Sequence, residues 1–186
     1  KLHVVNDLRR AIEAREFELF FQPIVEIQTG DITGLEALLR WRHPGKGLLK
    51  PAYFIGLAEQ SGSIMLLDQW ALEESCRHAL EWNRLSLNRK LIKVSVNFSP
   101  RNFPLLDCGE MVGRVLRSTG LNGKLLNIEI TEGALVKDVE ASIATIRYLN
   151  EMGVQVHLDD YGTGYSSLLH LSRLPVSHLK IDRSFV

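Results

Sequence analysis

The segment VQVHLDDYGTGYSS, residues 154–167, decides how the rest of the chain is read. An apolar, strand-like run ends in two adjacent carboxylates, Asp159 and Asp160, and a loop containing Gly162 and Gly164 follows at once. Parallel α/β proteins present a reactive edge in this way, with acids where a strand stops and a glycine turn behind them. Taken by itself, the segment fits a solvated turn or a helix cap equally well. Its neighbours have to decide.

Moving outward, the same beat recurs. Val139, Ile143, Ile146 and Leu149 lie at helical spacing ahead of it and stop at Gly153. Before them come a strand over residues 125–131, a helix carrying Met111, Val112, Val115 and Leu116 that stops near Gly120, and a strand over residues 91–98. Beyond the acidic pair, a short Leu-rich helix leads to a strand over residues 178–182. Strands alternating with helices at this spacing predict right-handed βαβ units and a parallel sheet.

The first half is built differently. Asn6-Asp7 is expected to cap a short helix with Leu8, Ala11 and Ile12 on one face. Residues 18–27 and 32–41 read as strands joined at Thr29-Gly30-Asp31, an antiparallel hairpin in which Pro23 marks an edge or bulge. The loop HPGKGLLKP, residues 43–51, precedes a helical pattern with Pro51 in its first turn and Phe54, Ile55 and Ala58 following. Ser61-Gly62-Ser63 breaks it, and a long helix carrying Leu72, Cys76, Ala79 and Leu80 follows.

Counting by twos along the later strands separates two faces. Ile92, Val94 and Val96 oppose Lys93, Ser95 and Asn97; Leu126, Ile128 and Ile130 oppose Asn127, Glu129 and Thr131. Val154, Val156 and Leu158 oppose Gln155, His157 and Asp159; Leu179 and Ile181 oppose His178, Lys180 and Asp182. Strands of an open doubly wound sheet are apolar on both faces, so four strands with a polar face predict a barrel whose upper interior is a site. The competing reading is a sheet with one solvated face, which parallel sheets seldom have. Asn97, Glu129, Asp159 and Lys180 then stand at or near the carboxyl ends of neighbouring strands, where barrel enzymes place their chemistry. In the hairpin, Ile32, Gly34, Glu36, Leu38 and Arg40 share one face, so an acid suited to metal and a guanidinium suited to phosphate point the same way. Alone, Glu36 and Arg40 would read as an ordinary ion pair.

Glu36, Glu129, Asp159 and Asp160, with the amide oxygen of Asn97, form an all-oxygen set that needs a counter-charge. No Cys or paired His joins it, so Mg²⁺ or Mn²⁺ suits it better than zinc. Two such ions would clamp the attacking and leaving oxygens of a phosphodiester. Composition excludes other classes. The chain has 186 residues with 22 basic and 22 acidic side chains, so no global charge argues for polymeric nucleic acid or an anionic membrane. No run reaches the ~20 apolar residues of a membrane span. Cys76 and Cys108 lack a CxxC partner and read as reduced thiols of a cytoplasmic domain.

Together these residues resemble the EAL family of bacterial cyclic di-GMP phosphodiesterases. The matching pieces are FQPI (21–24), EALLRW (36–41), VNFS (96–99), EITE (129–132), DDYGTGYSSL (159–168) and LKIDRSFV (179–186), in the family's order and across nearly the whole chain. The resemblance implies a modified TIM (β/α)₈ barrel with one antiparallel strand, cutting cyclic di-GMP to linear pGpG with two Mg²⁺ or Mn²⁺ ions. It implies Glu36, Asn97, Glu129, Asp159 and Asp160 as metal ligands, and Lys180, Glu36 and Asp159 as the catalytic group. Lys180 would hold and polarise the attacking water. Gln22 and Arg40 would contact the guanine and phosphate of the substrate, and Glu132 would fasten the loop after Asp160. In the family that loop lies near a dimer interface, so a homodimer is expected.

Residues 1–16 are expected to be a connecting helix, leading from an upstream sensory or GGDEF domain into the phosphodiesterase domain at 17–186. Tyr161 stands where the family usually has Phe. The resemblance also implies two further strand–helix units, with another metal-site Glu and a Gln, beyond Val186. The chain is therefore expected to hold about six of eight strands, and by itself to fold poorly and bind the second metal weakly. A catalytically inactive cyclic di-GMP receptor, and a barrel hydrolase acting on another phosphodiester, are the alternative readings.

Overall fold

A computed structural model describes residues 2–85, 91–103, 106–136, 138–162 and 173–185. Its sheet runs in the order β1 (Phe17–Val25), β2 (Ile32–His43), β4 (Lys93–Asn97), β5 (Leu126–Thr131), β6 (Gln155–Tyr161), β7 (His178–Ile181), and the short β3 (Gly47–Leu49) pairs with β2. β1 and β2 are antiparallel, whereas β2, β4, β5, β6 and β7 run parallel to one another. The expected hairpin and parallel βαβ series are both present. Pro23 lies in the edge strand β1, where its missing N–H breaks no central ladder.

Three departures have local causes. β3 falls inside the expected loop 43–51, because β2 continues past Trp41 to His43 and offers Leu48 and Leu49 an edge. The turn between them uses Gly47 at φ 72°. Helix α1 spans Leu2–Glu13, so it starts ahead of Asn6 and Asp7, which lie within its range. β6 runs on to Tyr161, past the expected stop at Asp159. The Leu-rich helix expected after the glycine loop lies outside the described residues.

The remaining helices are α2 (Ile55–Ser61), α3 (Ile64–Leu85), α4 (Leu106–Thr119), α5 (Glu132–Val136) and α6 (Val139–Glu151). A 3-10 turn over Pro51–Tyr53 precedes α2, and Gly62 closes it in the left-handed region at φ 76°. Asp138 caps α6 by accepting from the Ala141 N–H, and Gly153 ends it at φ 83°.

The period-two division of the strands is realised in β4, β5 and β6, whereas Leu179 and Ile181 of β7, expected on the apolar face, are exposed. Val94, Val96, Leu126, Ile128, Ile130, Val156 and Leu158 are buried in one cluster with Leu72, Cys76, Met111, Val112, Ile146 and Leu149 from the helices. Each such side chain contributes about 1.5–3 kcal/mol of burial. Tyr161 packs half-buried against the same cluster. A second cluster forms where Leu8 and Ala11 of α1 meet Phe17, Trp41, Phe54, Ala58, Ile64 and Leu67. Trp41 also donates its indole N–H to Glu16 at 2.9 Å. Both cysteines are free and buried, and burial pushes each thiol up to about 12. Among the described residues no helix is long and apolar enough to cross a membrane.

Candidate active site

The polar face of the sheet is layered. At its lower end Lys93 Nζ donates to Gln155 Oε1 at 2.8 Å, and Asn127 Nδ2 donates to Ser95 Oγ at 3.2 Å. Above these, the rings of His157 and His178 lie 4.5 Å apart. The top layer holds Glu36, Asn97, Glu129, Asp159 and Lys180.

Strand register delivers that top layer. Asn97 lies beside Glu129, Thr131 beside Asp159, and Leu158 beside Leu179, so Lys180 follows next to Asp159. Lys180 Nζ donates to Glu129 Oε2 at 2.5 Å and to Glu36 Oε2 at 2.9 Å, and lies 3.5 Å from Asp159 Oδ2. Asn97 Nδ2 donates to Glu36 Oε1 at 2.9 Å. One oxygen from each of Glu36, Glu129 and Asp159 falls within 4.8 Å of the other two.

Three acids so close require a cation, and Lys180 supplies it here. Burial pulls the Lys180 amine down, but the hydrogen bonds and charges of Glu129 and Glu36 outweigh it and hold the group above its usual range. Glu129 is 1% exposed, and burial raises its carboxyl despite the opposing hydrogen bond and charge of Lys180. Its second oxygen, Oε1, has no hydrogen-bond partner among the described residues and stands 4.0 Å from His157 Nδ1. Burial, with the charges of His178, Lys180 and Lys93, lowers His157 to about 4, so its imidazole is neutral near neutral pH. A buried carboxylate with one oxygen unpartnered, clustered with the acids Glu36 and Asp159, fits a hard divalent cation.

Asp160 occupies a β-bulge. The β6–β7 register shifts between Leu158 and Tyr161, and Asp160 takes a left-handed φ of 54°. Its backbone N–H donates to Asp159 Oδ1 at 3.0 Å. Burial first, and then the charges of Asp159 and Asp182, raise its carboxyl; Lys180 opposes them. A regular strand would send Asp159 and Asp160 to opposite faces, and the bulge breaks that alternation.

The other expected site residues lie around this centre. Gln22 pairs with Glu36 in the β1–β2 register and is exposed on the same face. The guanidinium of Arg40 sits 5.4 Å over the Phe20 ring and donates to the Leu39 carbonyl at 2.8 Å, further along β2 than Glu36. Glu132 is buried at the start of α5, one residue past β5, while much of the loop it would fasten lies outside the described residues. Beside Asn97 and Thr131 opens a cavity of about 320 Å³, walled chiefly by Leu38, Ile55, Ile64, Leu67, Phe98 and Pro100.

Two features escape a reading of the strands alone. His157 falls on the polar face, yet only its approach to Glu129 gives it a part in the site. Asp68 of α3 is 6% exposed and accepts from Asn102 Nδ2 at 2.7 Å and from the Ser99 N–H at 3.4 Å. The available signal is an acid on the same helical stripe as Ile64 and Leu72.

Burial pushes the Asp68 carboxyl up to about 7 from 3.8; the Asn102 and Ser99 hydrogen bonds oppose the rise and the charge of Glu59 adds to it. Because the folded-state value is the higher one, the folded protein binds this proton more tightly. The associated stability is complete below about pH 4 and is lost as pH rises through about 7. Thermal melts between pH 4 and 8 should therefore show Asp68→Asn with a flatter stability profile than the unsubstituted protein.

Mixed sheet, helices packed on its apolar face and a rim of acids around one lysine define an α/β barrel-type site. The EAL domain family matches residues 5–186, and the chain belongs to that family. It is 41% identical over 186 residues to the bifunctional diguanylate cyclase/cyclic di-GMP phosphodiesterase MucR of Pseudomonas aeruginosa, covering 100% of this chain and 27% of MucR. It is also 41% identical over 186 residues to the cyclic di-GMP phosphodiesterase NbdA of the same organism, covering 100% of this chain and 24% of NbdA. The chain thus spans about a quarter of the length of these curated relatives. The structure of the MucR phosphodiesterase in complex with cyclic di-GMP superposes with a TM-score of 0.91 at 40% identity, over 98% of this chain and 73% of that one. The fold is accordingly that of an EAL domain, a TIM-barrel-like architecture of which this chain holds the larger part.

Proposed function

We propose that this chain is the catalytic domain of a metal-dependent phosphodiesterase that hydrolyses cyclic di-GMP to linear pGpG. The observation that carries the reading is the convergence of Glu36, Asn97, Glu129 and Asp159, with Lys180 Nζ in contact with three of them. Family membership and the cyclic di-GMP complex of the MucR domain support the choice of substrate.

In this reading Glu36, Asn97, Glu129, Asp159 and Asp160 would hold two Mg²⁺ or Mn²⁺ ions. When bound, the ions would supply Lewis acidity to the phosphodiester and acidify the attacking water. Lys180 orients that water by donating to it, because a charged amine has no lone pair with which to accept. The attacking water gives up a proton as its oxygen bonds to phosphorus, the bond to the ribose 3′ oxygen breaks, and that oxygen takes up a proton. Gln22 contacts a guanine, and the neighbouring apolar cavity offers a surface for a base. Arg40 binds a substrate phosphate, and Glu132 fastens the loop that follows Asp160.

The arrangement of residues 1–16 as a connecting helix ahead of a domain at 17–186 belongs to this reading. So do a cytoplasmic location, a homodimer and an upstream sensory or GGDEF domain; MucR, by name, joins a diguanylate cyclase to a phosphodiesterase.

The test is to incubate the intact protein with cyclic di-GMP and Mn²⁺ and to separate the products. Formation of pGpG supports the enzyme; tight binding without product would make the protein a receptor. Arg40→Ala should raise KM by on the order of 10-fold with a smaller change in kcat, because a phosphate contact made equally in ground and transition states acts on binding. Steady-state kinetics at saturating Mn²⁺ checks this.

A further inference from the structure

The segment that follows β4 is gripped more firmly than a surface loop requires. Asn97 ends the strand at the site rim and is exposed, and its side chain donates to Glu36 Oε1. Its placement therefore depends on the backbone that carries it. On one side the Phe98 N–H donates to the Glu129 carbonyl at 2.8 Å, tying the chain to β5. On the other side two acids hold it. Asp68 Oδ2 accepts from both the Ser99 N–H and Asn102 Nδ2, and Glu59 accepts from Ser99 Oγ at 2.7 Å and, through its carbonyl, from Arg101 Nη1 at 2.8 Å.

Asp68 is the unexpected member. Its neighbours on the α3 stripe, Ile64, Leu67, Ala71 and Leu72, are apolar and buried. An apolar residue there would suit the packing better, since burying a carboxyl costs free energy unless its hydrogen bonds are made. The charge that acts on it from Glu59 has its own sign. What the acid gains is one oxygen that binds two successive points of a single turn, itself closed by the Asn102 and Phe103 N–H groups donating to the Ser99 carbonyl at 3.0 and 3.2 Å.

We propose that Asp68 is a positioning residue for the metal site: by clamping Ser99 and Asn102 to α3, it fixes the turn that sets the place of Asn97. This rests on the reading of Asn97 as a metal ligand. Asp68 lies outside the ligand set and acts through the turn.

The experiment measures Mn²⁺ binding to the intact protein, by calorimetry or by the electron paramagnetic resonance of free Mn²⁺, alongside thermal melts. Asp68→Ala should raise the Mn²⁺ Kd by about 10-fold or more, the range seen when a ligand's supporting hydrogen bond is lost. Asp68→Asn, whose amide oxygen can accept from both donors, should stay close to the unsubstituted value. Should Asp68→Ala not fold, Asn102→Ala keeps the acid and removes its shorter bond, and it should weaken Mn²⁺ binding in the same direction. A folded Asp68→Ala or Asn102→Ala protein with unchanged Mn²⁺ affinity, even at a lower Tm, would overturn the proposal and leave Asp68 a purely structural residue. An unsubstituted protein that binds no Mn²⁺ would instead remove the metal reading on which it stands.

Discussion

Glu36→Ala and Asp159→Ala should each lower the turnover of cyclic di-GMP by on the order of 10³-fold or more, with the fold intact. Glu36 stands where β2 is paired on both sides and Asp159 where β6 is paired with β5, so truncation of either side chain should leave the sheet unchanged. Each substitution removes one of the three oxygens that lie within 4.8 Å of one another. The loss should appear in kcat, because metal-borne stabilisation grows as charge develops in the transition state. Product assays at saturating Mn²⁺, with circular dichroism to confirm folding, check this. A Glu36→Ala protein with more than a few per cent of the original kcat would sink the assignment of Glu36.

Lys180→Met should have the second large effect, and it should depend on metal. In the described arrangement Lys180 is the cation against Glu129, whose side chain is fully buried, and against Glu36 and Asp159. Removing one partner of a buried ion pair costs about 3–5 kcal/mol, because the other is left as an uncompensated charge. Without metal, Lys180→Met should therefore unfold at markedly lower urea. With Mn²⁺ present the difference should shrink, since a divalent ion restores the missing positive charge and stabilises the folded state by mass action. Turnover should stay low under both conditions, as the ion replaces the charge of Lys180 but not its donation to water. Equal destabilisation with and without Mn²⁺ would show that Lys180 and the metal do not share a role.

The two predictions separate parts of one cluster. Glu36 and Asp159 are tested as ligands, whose loss is felt in chemistry; Lys180 is tested first as a counter-ion, whose loss is felt in folding. Lys180 Nζ reaches an oxygen of each of the three acids within 3.5 Å, so in the proposed reading a bound ion would compete with it for them.

Much of this was legible in the chain alone. Period-two alternation assigns each strand residue to one face, and parallel βαβ connections bring all carboxyl ends to one rim. Glu129, Asp159 and Lys180 therefore fall on one rim from these rules alone. The hairpin, the edge position of Pro23, the helix stops at Gly62 and Gly153 and the apolar layer under the helices follow from the same local rules. Tertiary structure decided what depends on partners remote in sequence. The bulge that lets Asp160 depart from strand alternation arises from a register shift between β6 and β7, which composition does not record. β3 exists because β2 offers it an edge. Asp68 meets Ser99 and Asn102 across 31 and 34 residues, and Lys180 meets Glu36 across 144. Sequence fixes which groups can face a site, because side-chain direction is a property of the local backbone. Which of them touch, and which buried acid gains a partner, is set by packing between elements that the chain brings together only once it is folded.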